Sequence, residues 1–396
     1  MDKQRIAIIG RGLAGLALAY RMAKRGLGPM VFGSSLGPGN ASRSAQGIIC
    51  NKGLIFADSP LFRAKLQSQR GIESWLIELE QQSGVSISRS WQGVDEPYWD
   101  ELDFHKTVSR VYRGNFWGCY RPRNCSPRQW PAAWRKAREP AGFMHYPDDA
   151  WFDVHAALDA LEKACAKLGS TLVDEPVQSL QLSDTGLTVC GQGQAMSFQH
   201  VVLAAGAESM NLAQTLGLEV PKHFLIGGQS LHWDRQELEP EHSRILVKGT
   251  MSLALRPDRG ILGSSSWKAG APPDLAADQA KLLAEADNAF GLPLKDLDAN
   301  LIRSSSGTRL RFADRMPALG LWPDERLKQR LSILTGMYKN GLQLADLCAE
   351  QLLAELTGEE LNEFGQAFHI KRFFAEGRRP AGSPPRHCPI KIRPQY

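Results

Sequence analysis

The run Gly10-Arg11-Gly12-Leu13-Ala14-Gly15 follows the apolar residues Ile6-Ala7-Ile8-Ile9 and opens a stretch of helical periodicity from Leu13 to Lys24. A strand, a tight turn and a helix in that order make a site for the pyrophosphate of a dinucleotide. The first glycine suits the turn, the second lets backbone approach the phosphates, and the third lets helix pack on strand. The helix then presents its first amides and the positive end of its dipole to the anion. FAD or NAD is therefore the expected cofactor. One position departs from the usual pattern. An acidic residue for the ribose hydroxyls is expected after the next strand, Pro29-Met30-Val31-Phe32, but Gly33 stands there, followed by Ser34 and Ser35. The serines offer neutral hydrogen bonds in place of a carboxylate.

Other chemistries find little support. His145, His155, His223 and His232 lack the spacing of metal ligands or of a triad and read as structural or exposed. No G-x-S-x-G elbow accompanies the serines, which argues against hydrolase chemistry. Seven cysteines are scattered without a C-x-x-C pair. Only Cys119 and Cys125 lie close together, and the set reads as reduced thiols, with no metal expected.

The elements that must position the glycine turn are spread over 396 residues, enough for two domains or more. No apolar run reaches the roughly 18 residues needed to span a bilayer, and the first strand begins almost at once, so a cytoplasmic location is expected. Apolar spacing predicts helices over 59–82, 154–167 and 275–290, and a last one ending at Leu356. Strands are expected over 169–173, in a meander over 177–189, at Val201-Val202-Leu203 running into Ala204-Ala205-Gly206-Ala207, over 224–233, 244–256 and 260–266, and over 331–335. Between Val85 and Asp149 the chain is rich in Trp, Tyr and Arg and reads as strands and loops covering a substrate. Trp91, Trp99, Trp117, Trp130 and Trp134 either line a pocket there or pack a core.

Nucleotide-binding segments thus stand at the start, middle and end of the chain. This places a discontinuous nucleotide domain at 1–84, 151–222 and 307–365, a substrate domain at 85–150 and 223–306, and a basic, proline-rich arm at 366–396. The net charge is +5, with Arg121, Arg123, Arg128, Arg135, Lys136 and Arg138 clustered. Such a run meets an acidic partner or is simply a solvated surface.

Taken together, these segments resemble the D-amino acid oxidase or glycine oxidase (DAO) superfamily of FAD-dependent amine oxidases. The carriers are the Ile6 to Gly15 motif, Ala41-Ser42-Arg43-Ser44-Ala45-Gln46-Gly47, the Val201 to Ser209 stretch and Gly228-Gln229. Later come Ser306-Gly307-Thr308-Arg309, Asp314 to Gly320 and Gly336 to Leu352. The resemblance implies an α/β fold, a Rossmann-like FAD-binding domain carrying a substrate domain on a mostly antiparallel sheet. It also implies roles for individual residues. Ser42, Arg43, Ser44, Gln46, Gly47 and Ile48 run beside the isoalloxazine, Val177 holds the adenine side, and Ala205 and Gly206 flank the pyrophosphate. Gly336 and the loop with Asn340, Gly341, Leu342 and Gln343 face the pyrimidine edge, where helix-end amides suit the charge of reduced flavin. Arg309 aligns with an arginine that grips the substrate carboxylate, a task to which a planar guanidinium is suited. Lys339 stands where several relatives carry another arginine, and Tyr338 either brings a hydroxyl near the substrate or packs.

The implied reaction is hydride transfer from a carbon next to an amine to flavin, on a glycine-like or N-substituted amino acid. A second resemblance, to the oxidoreductase half of a bifunctional tRNA wobble-uridine modification enzyme, would make the partner an RNA, bound through the Trp117 to Arg138 segment and the C-terminal arm. A residue of a protein partner is a third possible substrate.

Overall fold

The computed structural model describes residues 6–34, 39–51, 59–114, 122–135, 137–234, 243–268 and 274–374. Ser35, Trp117, Cys119, Arg121, Lys136 and most of the C-terminal arm lie outside them. A six-stranded sheet forms the centre of the nucleotide domain. Its strand Ile6–Ile9 runs parallel to Met30–Phe32 on one side and to His200–Leu203 on the other. Thr171–Val173 and Leu331–Thr335 extend it in parallel, and Ala318–Leu321 closes one edge antiparallel. Apolar residues fill both faces of this sheet. Ile6 and Ile8 join a core with the helices Leu13–Lys24, Pro60–Ser83, Val154–Lys167 and Gly341–Leu356, while Ala7 and Ile9 join a second core on the other side. Burial on both faces is what a parallel sheet requires, and it explains why its strands read as continuous apolar runs.

Helix limits follow local signals. Ser59 caps Pro60–Ser83 by accepting from the Phe62 amide, and Gly84 ends it in the left-handed region at φ 73°. Asp153 caps Val154–Lys167 by accepting from the Ala156 amide.

The substrate domain is a nine-stranded, mostly antiparallel sheet. At its heart the 12-residue strand His223–Asp234 pairs along its length with Ile302–Phe312. One face packs on Leu275–Phe290 through Leu231, Trp233, Leu246 and Phe290. The opposite face turns toward residues 39–49.

Several expectations change here. The boundary placed at residue 307 falls inside Ile302–Phe312, so that strand belongs to the substrate sheet. The segment 85–149 contains the helix Glu101–Gly114, which was not expected. The arm placed from 366 starts later, because Glu363–Phe368 is helical and Phe368 and Ile370 are buried. Trp130 and Trp134 are core residues, not pocket lining: they meet edge to face, and Trp130 also packs on Phe143.

Candidate flavin and substrate site

The glycine turn is jammed from behind. A Cβ on Gly10, at φ 122°, would lie 2.2 Å from the Ala204 carbonyl oxygen, and one on Gly15 would lie 1.9 Å from the Gly10 oxygen. Gly10 therefore serves a close crossing with the end of His200–Leu203, which brings Ala205 and Gly206 to the turn. Gly12 caps the first helix with no side-chain hydrogen bond, so the amides there are offered outward. Among the described residues, Ser42 reaches this first turn, its Oγ accepting from the Leu13 amide at 3.0 Å.

Ser42 belongs to a loop clasped between the two domains. The Gly39 carbonyl accepts from the Thr308 amide at 3.1 Å, and a Cβ on Gly307 would meet Ala41 Cα at 2.7 Å. Ser230 Oγ donates to the Ser44 carbonyl at 3.0 Å. Ser252 Oγ donates to Gln46 Oε1 at 2.6 Å, Gln46 Nε2 returns a bond to the Ser252 carbonyl at 3.3 Å, and Trp151 Nε1 donates to the Gln46 carbonyl at 2.7 Å. Gly47, at φ 85°, passes so close to Phe152 that a Cβ would fall 2.0 Å from its carbonyl oxygen. Ile48 then enters the short strand Ile48–Ile49. Arg43 points elsewhere, to Asp159 at 3.1 Å and Glu162 at 3.8 Å, so its charge is spent on the helix Val154–Lys167. Ser44 Oγ is likewise engaged, donating to the Asn40 carbonyl.

Gly33 adopts φ 141°, and a Cβ there would meet the Arg11 backbone nitrogen at 3.0 Å. Arg11 turns its guanidinium onto Glu162 with bonds of 2.9 and 3.0 Å and reaches Asp174 at 4.0 Å. Acidic side chains thus stand near the end of Met30–Phe32, although none belongs to the expected position. Val177 follows them, half-buried against the second core.

At the far end of the sheet, Gly336 turns at φ 77° after Leu331–Thr335, and Thr335 Oγ1 donates to the Gly206 carbonyl at 3.1 Å. Asn340 caps Gly341–Leu356 without a side-chain hydrogen bond, so the first amides of this helix also have no side-chain cap. Leu342 packs on the first core. Gln343 is buried, donating through Nε2 to Asn51 Oδ1 at 3.0 Å, and Ser68 Oγ donates to its carbonyl. That makes Gln343 a brace for the helix start. Beside it, buried Lys65 donates to the Cys50 carbonyl at 3.1 Å, and burial pushes its ammonium down to about 8.

Arg309 projects from Ile302–Phe312 onto the face that holds Ser230, Gly263 and Ser252, which lie opposite one another across three strands. Its Nη2 donates to the Gly227 carbonyl at 3.2 Å, and a Cβ on Gly228 would overlap that nitrogen at 2.0 Å. Gly228 lies inside His223–Asp234 and not at a strand start, and its missing side chain makes the room for the arginine. Burial lowers the pKa of the guanidinium. Among the described residues no carboxylate pairs with it. Tyr338 sits at φ 53°, a left-handed conformation that costs a bulky residue about 1–3 kcal/mol, and its ring centroid lies 5.7 Å from Arg309 Cζ. Lys339 Nζ lies 5.8 Å from the same ring. The residue as a whole is exposed, but partial desolvation of its ammonium and then the Arg309 charge lower its pKa.

The histidines behave as structural groups. His232 bonds Ser305 Oγ at 2.9 Å and is pushed by burial down to about 4, and His223 bonds the Pro221 carbonyl at 2.9 Å. A separate cleft of about 490 Å³ opens on the other face of the large sheet, lined by Asp95, Arg123, His145 and Arg244. Asp95 already engages His145 at 2.7 Å and Arg244 at 2.6 Å, and nothing there converges on a reacting group.

The donor set fits FAD: a glycine cradle that any Cβ would block, two helix starts without side-chain caps, and a clasped loop between them. Ser42, Ala205 and Gly206 would hold its phosphates, and Gln46, Asn340 and Gly341 its flavin.

Comparison with known proteins agrees. The chain is 25% identical to glycine oxidase of Geobacillus kaustophilus, over 94% of this chain and 98% of that protein. It is 23% identical to the tRNA 5-methylaminomethyl-2-thiouridine biosynthesis bifunctional protein of Pseudoalteromonas translucida, over 93% of this chain and 59% of that one. The structure of iminodiacetate oxidase from Chelativorans sp. BNC1 superposes with a TM-score of 0.79 at 21% identity, covering 92% of this chain and 98% of that one, which shows the same fold. Residues 5–356 match the model of the FAD dependent oxidoreductase family, DAO, and the chain belongs to that family of FAD-dependent enzymes.

Proposed function

We propose that this flavoenzyme oxidises the C–N bond of a glycine-like or N-substituted amino acid, with Arg309 anchoring the substrate carboxylate. One observation carries this reading. Arg309 is partly buried on the sheet face that holds the loop 39–47, yet no acidic side chain among the described residues neutralises it. A desolvated cation without a counter-ion stores an electrostatic cost that a bound carboxylate removes. Glycine oxidase and iminodiacetate oxidase, two proteins similar to this one, carry amino acids of this class in their names.

Bound FAD would supply the two-electron acceptor for the carbon next to nitrogen, and water would hydrolyse the resulting imine. The chain itself supplies position. Arg309 fixes the carboxylate, Tyr338 walls the pocket beside it, and the Gln46–Ser252 pair holds the loop against the sheet. No side-chain base is required of His145, His223 or His232, which are engaged elsewhere.

The test is reduction of the flavin band under anaerobic conditions by sarcosine, glycine, iminodiacetate and D-amino acids. Bleaching by at least one supports the reading. Bleaching only by a carboxymethylaminomethyl-modified nucleoside or tRNA would move the function to RNA. The burial of Trp130 and Trp134 and the stacking of Arg138 on Trp99, 4.1 Å from the ring centroid, leave fewer groups for that role.

A further inference from the structure

We propose that the site holds a second carboxylate subsite, built from Arg311 and Lys339, so that the preferred substrate is a secondary amine bearing a carboxylate on each side of its nitrogen. This rests on the reading of Arg309 as the first carboxylate anchor and adds the class of substrate.

The geometry begins with the strand period. Arg309 and Arg311 are two residues apart on Ile302–Phe312 and so project from the same face, opposite Ile226 and Phe224 of the neighbouring strand. Arg311 Cζ lies 4.7 Å above the Phe224 ring and 5.9 Å from the Tyr338 ring. With Arg309 Cζ at 5.7 Å and Lys339 Nζ at 5.8 Å, three cationic groups surround one tyrosine. None of the three forms an ion pair with a described acid, and Arg311 Nε is buried without a hydrogen-bond partner.

Ring quadrupoles offset only a small part of the cost of three neighbouring cations. One carboxylate on the Arg309 fork would still leave Arg311 and Lys339 uncompensated. A second carboxylate, carried on the other substituent of the amine nitrogen, matches that residual charge. Elsewhere in the molecule comparable arginines are paired: Arg11 with Glu162, Arg21 with Asp346 and Arg372 with Asp314. Around Tyr338, by contrast, three cationic groups gather with no described acid among them.

Redox-inert analogues separate this proposal from the oxidase reading. Oxydiacetate has the two carboxylates and no oxidisable C–N bond, and methoxyacetate is its counterpart with one carboxylate. Calorimetric titration of the flavoprotein is expected to show oxydiacetate binding about tenfold tighter or more, the worth of one charge-assisted contact. Arg311→Met and Lys339→Met should each narrow that ratio, and Lys339→Arg should keep it, with flavin absorbance confirming that each variant is folded. Equal binding of the two analogues, or a ratio that survives both methionine variants, overturns the subsite while leaving Arg309 in place. Absence of binding by either analogue, together with no flavin reduction by any amino acid, overturns the Arg309 reading as well.

Discussion

Arg309 and Tyr338 come from separate segments and meet with the guanidinium carbon 5.7 Å from the ring centroid. The strand supplies the arginine, and a left-handed residue just before the helix Gly341–Leu356 supplies the ring. The substrate sheet and the segment that opens Gly341–Leu356 therefore meet at this pair.

Arg309→Met should lower kcat/KM for carboxylate amines on the order of 100-fold, the upper range for losing charge-assisted hydrogen bonds. Flavin content should remain, since among the described residues the arginine bonds the Gly227 carbonyl of the substrate sheet. Steady-state kinetics beside the visible spectrum check this. Unchanged turnover would remove Arg309 from the site.

Gly15→Ala should yield flavin-free protein. Its Cβ would fall 1.9 Å from the Gly10 oxygen, a backbone atom that cannot swing aside. The ratio of visible to ultraviolet absorbance after purification measures the outcome, and normal flavin content would show that the turn opens without cost.

How far the fold was legible varied with how local its causes are. The Val154–Lys167 and Leu275–Phe290 helices match the apolar spacing because one stripe of each faces a core, while Leu13–Lys24 is legible as an apolar run because it is buried nearly all round. Ile302–Phe312 was missed as a strand. Its Ser304-Ser305-Ser306 stretch carries no apolar alternation, and the strand is held by its neighbour His223–Asp234 along its whole length. Glu101–Gly114 was missed because its sequence is mostly polar. Among the site residues, the glycine turn, Ser42 and Gln46 could be placed from motifs. Ser252, Ser230 and Arg311 could not, because their roles depend on which strands lie side by side.

The dicarboxylate preference should fade as pH rises. Lys339 has its pKa lowered by desolvation and by Arg309, so it loses its charge below the ordinary lysine range while the arginines stay protonated. The ratio of oxydiacetate to methoxyacetate affinity, measured in buffers of rising pH, should fall in the wild type and stay flat in Lys339→Arg.

Lys65 makes a prediction about stability. Its folded pKa of about 8 lies below that of an unfolded lysine. Below 8 both states hold the proton, and between 8 and the ordinary lysine range only the unfolded chain does, so stability rises with pH across that window. The gain is on the order of 3 kcal/mol. Denaturation curves of wild type and Lys65→Met from neutral to alkaline pH should converge or cross in favour of the wild type; parallel curves would contradict the assignment.

The most direct test of the oxidase reading is anaerobic titration of the yellow protein with sarcosine and iminodiacetate, followed at the flavin band. Bleaching by both, stronger at low concentrations of iminodiacetate, is the expected result. A flavin band that stays oxidised with every free amino acid would contradict it.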